Sequence, residues 1–169
     1  MKVRITSEEI KINPMNKTHH YNNTIEWTGN NGEGTKTYTS YRRDFEWKAE
    51  GKESIACSAD PAFRGDASKF NPEEMLLAAV SSCHMLWFLH LCADRGIIVK
   101  SYTDRVAGEM LELVGGGGHF SSITLHPEVQ ITDPGRVDEA NALHDLAKTK
   151  CFLSNSCNFP ITHQATCSA

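Results

Sequence analysis

No CxxC pair occurs among the six cysteines of this 169-residue sequence, Cys57, Cys83, Cys92, Cys151, Cys157 and Cys167. Nor do His19-His20, Cys83-His84 or His90 with Cys92 have the spacing of a structural zinc site, so no metal is expected. The N-terminus, MKVRITSEEIKI, lacks the apolar stretch and small-residue cleavage site of a secretory signal, and the expected compartment is the cytoplasm. There the cysteines are expected to be free, metal-bound or catalytic rather than a disulfide framework. Without export, the acceptor patterns Asn16-Lys17-Thr18 and Asn22-Asn23-Thr24 carry no weight. A basic patch is also missing: 17 Lys and Arg against 21 Asp and Glu give a net charge of -4, which argues against nucleic acid or an anionic membrane as partner. Gly115 to Gly118 lack a following Lys-Ser/Thr and read as a hairpin turn, not a phosphate loop. With no repeat, low-complexity tract or linker, a single domain over residues 1–169 is expected.

What is present is organised around one apolar stretch, NPEEMLLAAVSSCHMLWFLHLCADRG, from Asn71 to Gly96. Asn71 suits an N-cap, Pro72 the first helical position, and Glu73 and Glu74 place negative charge at the positive end of the helix dipole. Asp94-Arg95-Gly96 supplies a C-terminal cation and a glycine for a left-handed cap. Between them the run is apolar almost all round, which predicts a buried core helix. Ser81, Ser82, His84 and His90 interrupt it too often for a comfortable membrane span.

Before this helix, residues 18–59 carry aromatic and β-branched residues broken by turn signals, and predict an antiparallel meander of two to four strands. The loop Asp60-Pro61-Ala62-Phe63-Arg64-Gly65-Asp66 is suited to presenting Arg64 at an edge of the core. After the helix, residues 97–114 and 120–131 read as two strands. Residues 137–150 have helical spacing, residues 152–160 suggest a short helix or turn, and residues 161–167 a closing strand. The order predicts an α+β fold, with helices on one face of an antiparallel sheet.

Cys83, halfway along the apolar helix, is the candidate nucleophile. A reactive thiol needs a nearby cation or hydrogen-bond donor to favour the thiolate. His84 lies about 100° round the helix and is poorly placed, which leaves Arg64 as the better candidate. Glu73 precedes Cys83 by ten residues, about 15 Å of helical rise, so a site containing both would need two chains.

Asn71-Pro72-Glu73-Glu74, followed nine residues after Glu74 by Cys83, and a second cysteine in Lys150-Cys151-Phe152-Leu153-Ser154-Asn155-Ser156, resemble the OsmC/Ohr family of osmotically induced and organic-hydroperoxide-resistance proteins. The likeness runs from about Tyr21 to Cys167 and leaves the first twenty residues unexplained. It implies an OsmC-like fold of antiparallel sheets packed on long central helices in an intertwined homodimer. It also implies a thiol peroxidase with active sites shared across the dimer: Cys83 peroxidatic, Cys151 resolving, Arg64 stabilising thiolate and peroxide, and Glu73 orienting the arginine. Arg42 and Arg43 remain alternatives for Arg64. Met75, Leu76, Leu86, Trp87 and Phe88 are candidates for the apolar part of an organic hydroperoxide. No cofactor is implied, only an external dithiol reductant, for which the family suggests a lipoyl type. Two other readings stand beside the peroxidase: a non-catalytic dimer binding an apolar small molecule, and a hydrolase pairing Cys83 with His84 or another histidine.

Overall fold

The computed structural model describes residues 17–169; the first sixteen residues, with the Asn16 pattern, lie outside the described residues. The described residues divide into two compact units, one ending at Cys57 and the other running from Ser58 to Ala169.

In the first unit, β1 (Thr24–Trp27), β2 (Phe45–Lys48) and β3 (Ile55–Cys57) form an antiparallel sheet in that order. Trp47 pairs with Ile25 on one side and Ile55 on the other, so aromatic and β-branched neighbours line the cross-strand positions. The link from β1 to β2 folds back through Thr28 N–H to Asp44 O (2.9 Å) and Arg42 N–H to Gly29 O (2.9 Å). Gly29 is required there, because a Cβ would lie 1.9 Å from Arg42 O. Arg42 bonds Asp44 at 2.9 Å, and the Arg43 guanidinium lies 4.2 Å from the ring centres of both Tyr38 and Tyr41.

In the second unit, α1 (Pro72–Asp94) starts where Asn71 predicts. Asn71 Oδ1 accepts from Glu74 N at 2.8 Å and the Glu74 carboxylate accepts from Asn71 N at 3.2 Å, a reciprocal capping box. Past its end Gly96 takes the left-handed conformation, φ +67°. The expectation of burial all round is not met: Val80, His84, Phe88 and Cys92 are buried, one stripe at four-residue spacing, whereas Leu86 is 62% exposed. A single chain covers one side of a helix that is apolar on every side. Its length and mean hydropathy of 1.6 would also suit a membrane span, but the buried stripe packs on protein, chiefly α2 (Val137–Lys150).

The two strands expected after α1 are four. Residues 97–114 break into β4 (Val99–Asp104) and β5 (Ala107–Glu112), and residues 120–131 belong to β6 (Gly118–Leu125) and β7 (Pro127–Ile131). Two side chains tie the breaks together: Asp104 Oδ1 accepts from His126 N at 2.7 Å, and His126 Nδ1 lies 3.0 Å from Arg105 O. Between β5 and β6 the glycine run makes a hairpin turn with φ of +96°, +93° and +77° at Gly115, Gly116 and Gly117, values that side chains resist. The closing segment also splits, into β8 (Ile161–His163) and β9 (Thr166–Ser168).

These strands form two sheets, β4-β7-β9 and β5-β6-β8. The β4/β7 and β5/β6 pairs are antiparallel as expected, but β7/β9 and β6/β8 are parallel, so both sheets are mixed. The cause is the helical crossover: α2 and the single-turn α3 (Phe152–Ser156) carry the chain back before β8 and β9 enter. The α+β class holds. Around α1 the core has two clusters, one centred on Phe88, Ile131 and Leu143, the other on Val80, Ile123 and Leu125.

Candidate active site

Cys83 sits half-buried midway along α1, and Cys151 sits where α2 ends. Cys151 serves both helices that it joins: its N–H bonds Ala147 O at 3.0 Å, and its sulfur accepts from Ser154 N at 3.4 Å as the cap of α3. This arrangement leaves Cys151 0% exposed and close enough to Cys83 to influence its titration. The backbone of Leu153 and Phe152, in the first turn of α3, acts on the same thiol. The fold thus brings two cysteines 68 positions apart in the chain into one neighbourhood.

Burial pushes the Cys83 thiol above its ordinary pKa and the neighbouring Cys151 adds to that, while the N–H groups of Leu153 and Phe152 pull the other way. Within one chain the balance favours the neutral thiol. A third cysteine lies close by: Cys157, at the end of α3, packs with the Val80 cluster, and burial and then Cys151 raise its thiol pKa.

The surroundings are apolar. Trp87 packs edge-on against Phe152 at 6.0 Å between ring centres, Phe152 is 70% exposed, and Leu86, about 60° round α1 from Cys83, is exposed. Leu76 lies about 20° round α1 from Cys83 and packs with the Val80 cluster. Met75, half-buried, lies about 80° round. Phe88 is differently placed: about 140° round the helix from Cys83, 0% exposed, and stacked on His144 at 4.0 Å, it belongs to the core and not to the rim of the thiol.

Glu73 stands in the first turn of α1, and Arg64 in the loop before it. Because α1 is continuous from residue 72 to 94, the rise of about 15 Å between Glu73 and Cys83 holds within one chain. Glu73 lines a cleft of about 250 Å³ with Phe63, Met110, Leu111, Glu112, Gly117 and Gly118, and its Oε2 is buried with no hydrogen-bond partner among the described residues. Arg64 ends a 3₁₀ turn at Pro61–Phe63, with its N–H on Pro61 O at 3.0 Å and its backbone left-handed at φ +67°. Gly65 lets that loop close, since a Cβ there would lie 1.6 Å from Ala59 O. Arg42 and Arg43, the alternative arginines, are engaged within the first unit by Asp44 and by the tyrosines.

His84 does not serve Cys83. Its Nε2 lies 3.0 Å from His144 Nδ1 in the core, and burial first, then His163, depresses its pKa to about 4. The hydrolase reading thereby loses its adjacent base. His144 was not singled out from the sequence, although it continues the buried stripe Ala140, Leu143, Ala147 of α2, where a histidine is out of character. Among the described residues no group of three or more His, Cys, Asp or Glu side chains is set to hold a metal ion.

The family model for OsmC-like proteins matches residues 65–166, which hold both cysteine segments and Glu73. The chain belongs to the OsmC-like family. An OsmC-like protein of unknown function from Vibrio cholerae superposes with a TM-score of 0.79 at 28% identity, over 88% of this chain and 99% of that one. An organic hydroperoxide resistance protein from Legionella pneumophila shares the fold at 15% identity and a TM-score of 0.65, over 91% of this chain and 100% of that one. One from Elizabethkingia anophelis does so at 16% identity and the same TM-score, over 91% and 99%. No protein of curated function matches the sequence. Membership of the OsmC-like family accounts for the α+β fold. Named relatives range from hydroperoxide resistance to unknown function.

Proposed function

We propose that this OsmC-like protein is a cysteine peroxidase that reduces organic hydroperoxides, and that it works as a homodimer. The observation that supports the reading is that α1 and the α2–α3 junction bring half-buried Cys83 and buried Cys151 into one neighbourhood, with the apolar Trp87–Phe152 contact between α1 and α3. The Cys83 thiolate attacks the outer peroxide oxygen. The O–O bond breaks, an alcohol leaves, and Cys83 becomes a sulfenic acid. Cys151 then attacks that sulfur, the S–S bond forms, and the hydroxyl leaves as water with the thiol proton. An external dithiol, of lipoyl type by family likeness, restores both thiols by exchange. Cys83 is its point of entry, because Cys151 is closed to solvent.

Two features support assembly from two copies. The raised pKa of Cys83 calls for a cation that makes it a thiolate, and at the far end of α1 the unpartnered Glu73 oxygen faces a cleft beside the Arg64 loop. In an antiparallel pair of α1 helices, the Arg64 and Glu73 end of one copy would meet the thiols of the other, with Glu73 holding the guanidinium in a fork that a lysine cannot match. The exposed apolar side of α1 would be covered by the same contact.

The test is hydroperoxide consumption. Cys83→Ser is expected to abolish it, and Cys151→Ser to allow one turnover that leaves a sulfenic acid trapped by dimedone. Full consumption by the Cys83→Ser protein contradicts the reading. A dimer that binds an apolar molecule without chemistry is the second reading, favoured by the neutral state of Cys83 in one chain. It predicts that such a ligand raises Tm even when both cysteines are serine.

A further inference from the structure

His84 and His144 are a buried pair for which the peroxide chemistry above has no use. They are 1% and 0% exposed, their rings lie 8° from parallel, and Nε2 of His84 is 3.0 Å from Nδ1 of His144. Phe88 covers the outer face of His144 at 4.0 Å. His163 of β8 stands 5.6 Å and 5.8 Å from the two rings and is itself 3.5 Å from Asp145 of α2. From β9, Cys167 Sγ lies 3.8 Å from His144 Nε2; from β4 come Tyr102, with its ring 6.4 Å from His144, and the charge of Asp104; from α2 comes that of Lys148. One imidazole must donate and the other accept, so the bond survives as long as the pair is not doubly protonated. Burial keeps both rings neutral.

The position of the pair matters more than its chemistry. His84 directly follows Cys83 on α1, and His144 lies seven residues, two turns, before Cys151 on the same side of α2. Around them α1 and α2 meet through Phe88, Cys92, Ala140, Leu143 and Ala147, apolar groups that tolerate small slides of one helix along the other. A directional bond does not tolerate them, and a buried polar contact of this kind specifies register more than it adds stability.

We propose that His84 and His144 are a positioning pair: their hydrogen bond fixes the register of α1 on α2, and through it the closeness of Cys151 to Cys83. The inference rests on the reading of Cys83 and Cys151 as a redox dithiol. The reaction that it governs is the closure of that dithiol: the sulfenic acid of Cys83 and the thiol of Cys151 combine, an S–S bond forms, and water leaves.

The test is the equilibrium of the reduced protein with glutathione disulfide, in which one protein disulfide forms as two glutathione thiols are released. Its constant is the effective concentration of Cys151 at Cys83 and needs no hydroperoxide. His144→Phe keeps the ring and its stack on Phe88 but removes the bond; His144→Asn gives up the ring but keeps a polar atom where Nδ1 was. The expected result is a loss of at least tenfold in His144→Phe and of less than threefold in His144→Asn. A merely packing role gives the reverse order, and that order, or no change in either, overturns the proposal. His84→Phe and His84→Gln repeat the crossing on the other ring, so a folding failure at one position leaves the other to decide. A wild-type disulfide without hydroperoxide consumption would remove the peroxidase and leave the positioning pair standing. No Cys83–Cys151 disulfide at any glutathione ratio would remove both.

Discussion

At the scale of single residues, environment sets the state of each titratable group in the core. Burial holds His84 and His144 neutral, with pKa values of about 4 and about 3 against an ordinary 6.5. Since both folded-state values are depressed, the unfolded chain binds more protons in mild acid. The stability that the pair contributes is therefore complete above about pH 6.5 and is lost as pH falls through that value toward 4 and then 3. By pH 5 the loss is of order 2–4 kcal/mol for the pair. Urea midpoints at pH 7, 6 and 5 should fall more steeply for the wild type than for a His84→Gln, His144→Asn double variant. Parallel curves would contradict the neutral pair. The sequence displayed only half of this arrangement. His84 was visible beside Cys83 and was judged badly placed for it, but its partner is 60 residues away, and pattern reading along the chain does not join positions that far apart. Cys83, Cys151, Glu73 and Arg64 stood out because short motifs carry them.

At the scale of elements, those with local signals were legible and those built from distant pairings were not. Asn71, Pro72 and Gly96 marked both ends of α1, the spacing of Ala140, Leu143 and Ala147 gave α2, and the glycine run gave the β5–β6 turn. The breaks at Arg105 and His126 were missed because an aspartate in one strand pair makes them by bonding the backbone of another. The parallel β6/β8 and β7/β9 pairs were missed because a strand that returns through a helix can enter a sheet in either direction, and only packing decides which. A local prediction follows from the capping box. Asn71→Ala removes the side-chain acceptor for Glu74 N–H and should cost about 1 kcal/mol, read as a lower urea midpoint with an unchanged slope. No shift in midpoint would mean that water replaces the cap at no cost. The exposed side of α1 makes a second prediction: Leu86→Arg, at a position 62% exposed in one chain, should leave the monomer folded but shift the dimer toward monomer in light scattering. A dimer of undiminished affinity would place the contact elsewhere.

At the scale of the molecule, the proposed dimer treats one chain as holding two halves of a site. The thiols lie midway along α1, in a setting that keeps Cys83 protonated, and the acidic cleft with its arginine loop lies at the N-terminal end. The continuous α1 keeps Glu73 and Cys83 apart within a chain, and the proposed dimer would bring them together between chains. The central claim is that Cys83 and Cys151 act as one redox pair. It is tested most directly by counting thiols in the reduced protein before and after one equivalent of cumene hydroperoxide, with peptide mapping of any new disulfide. The account predicts rapid loss of two of the six thiols and a Cys83–Cys151 link. Six unchanged thiols would contradict it.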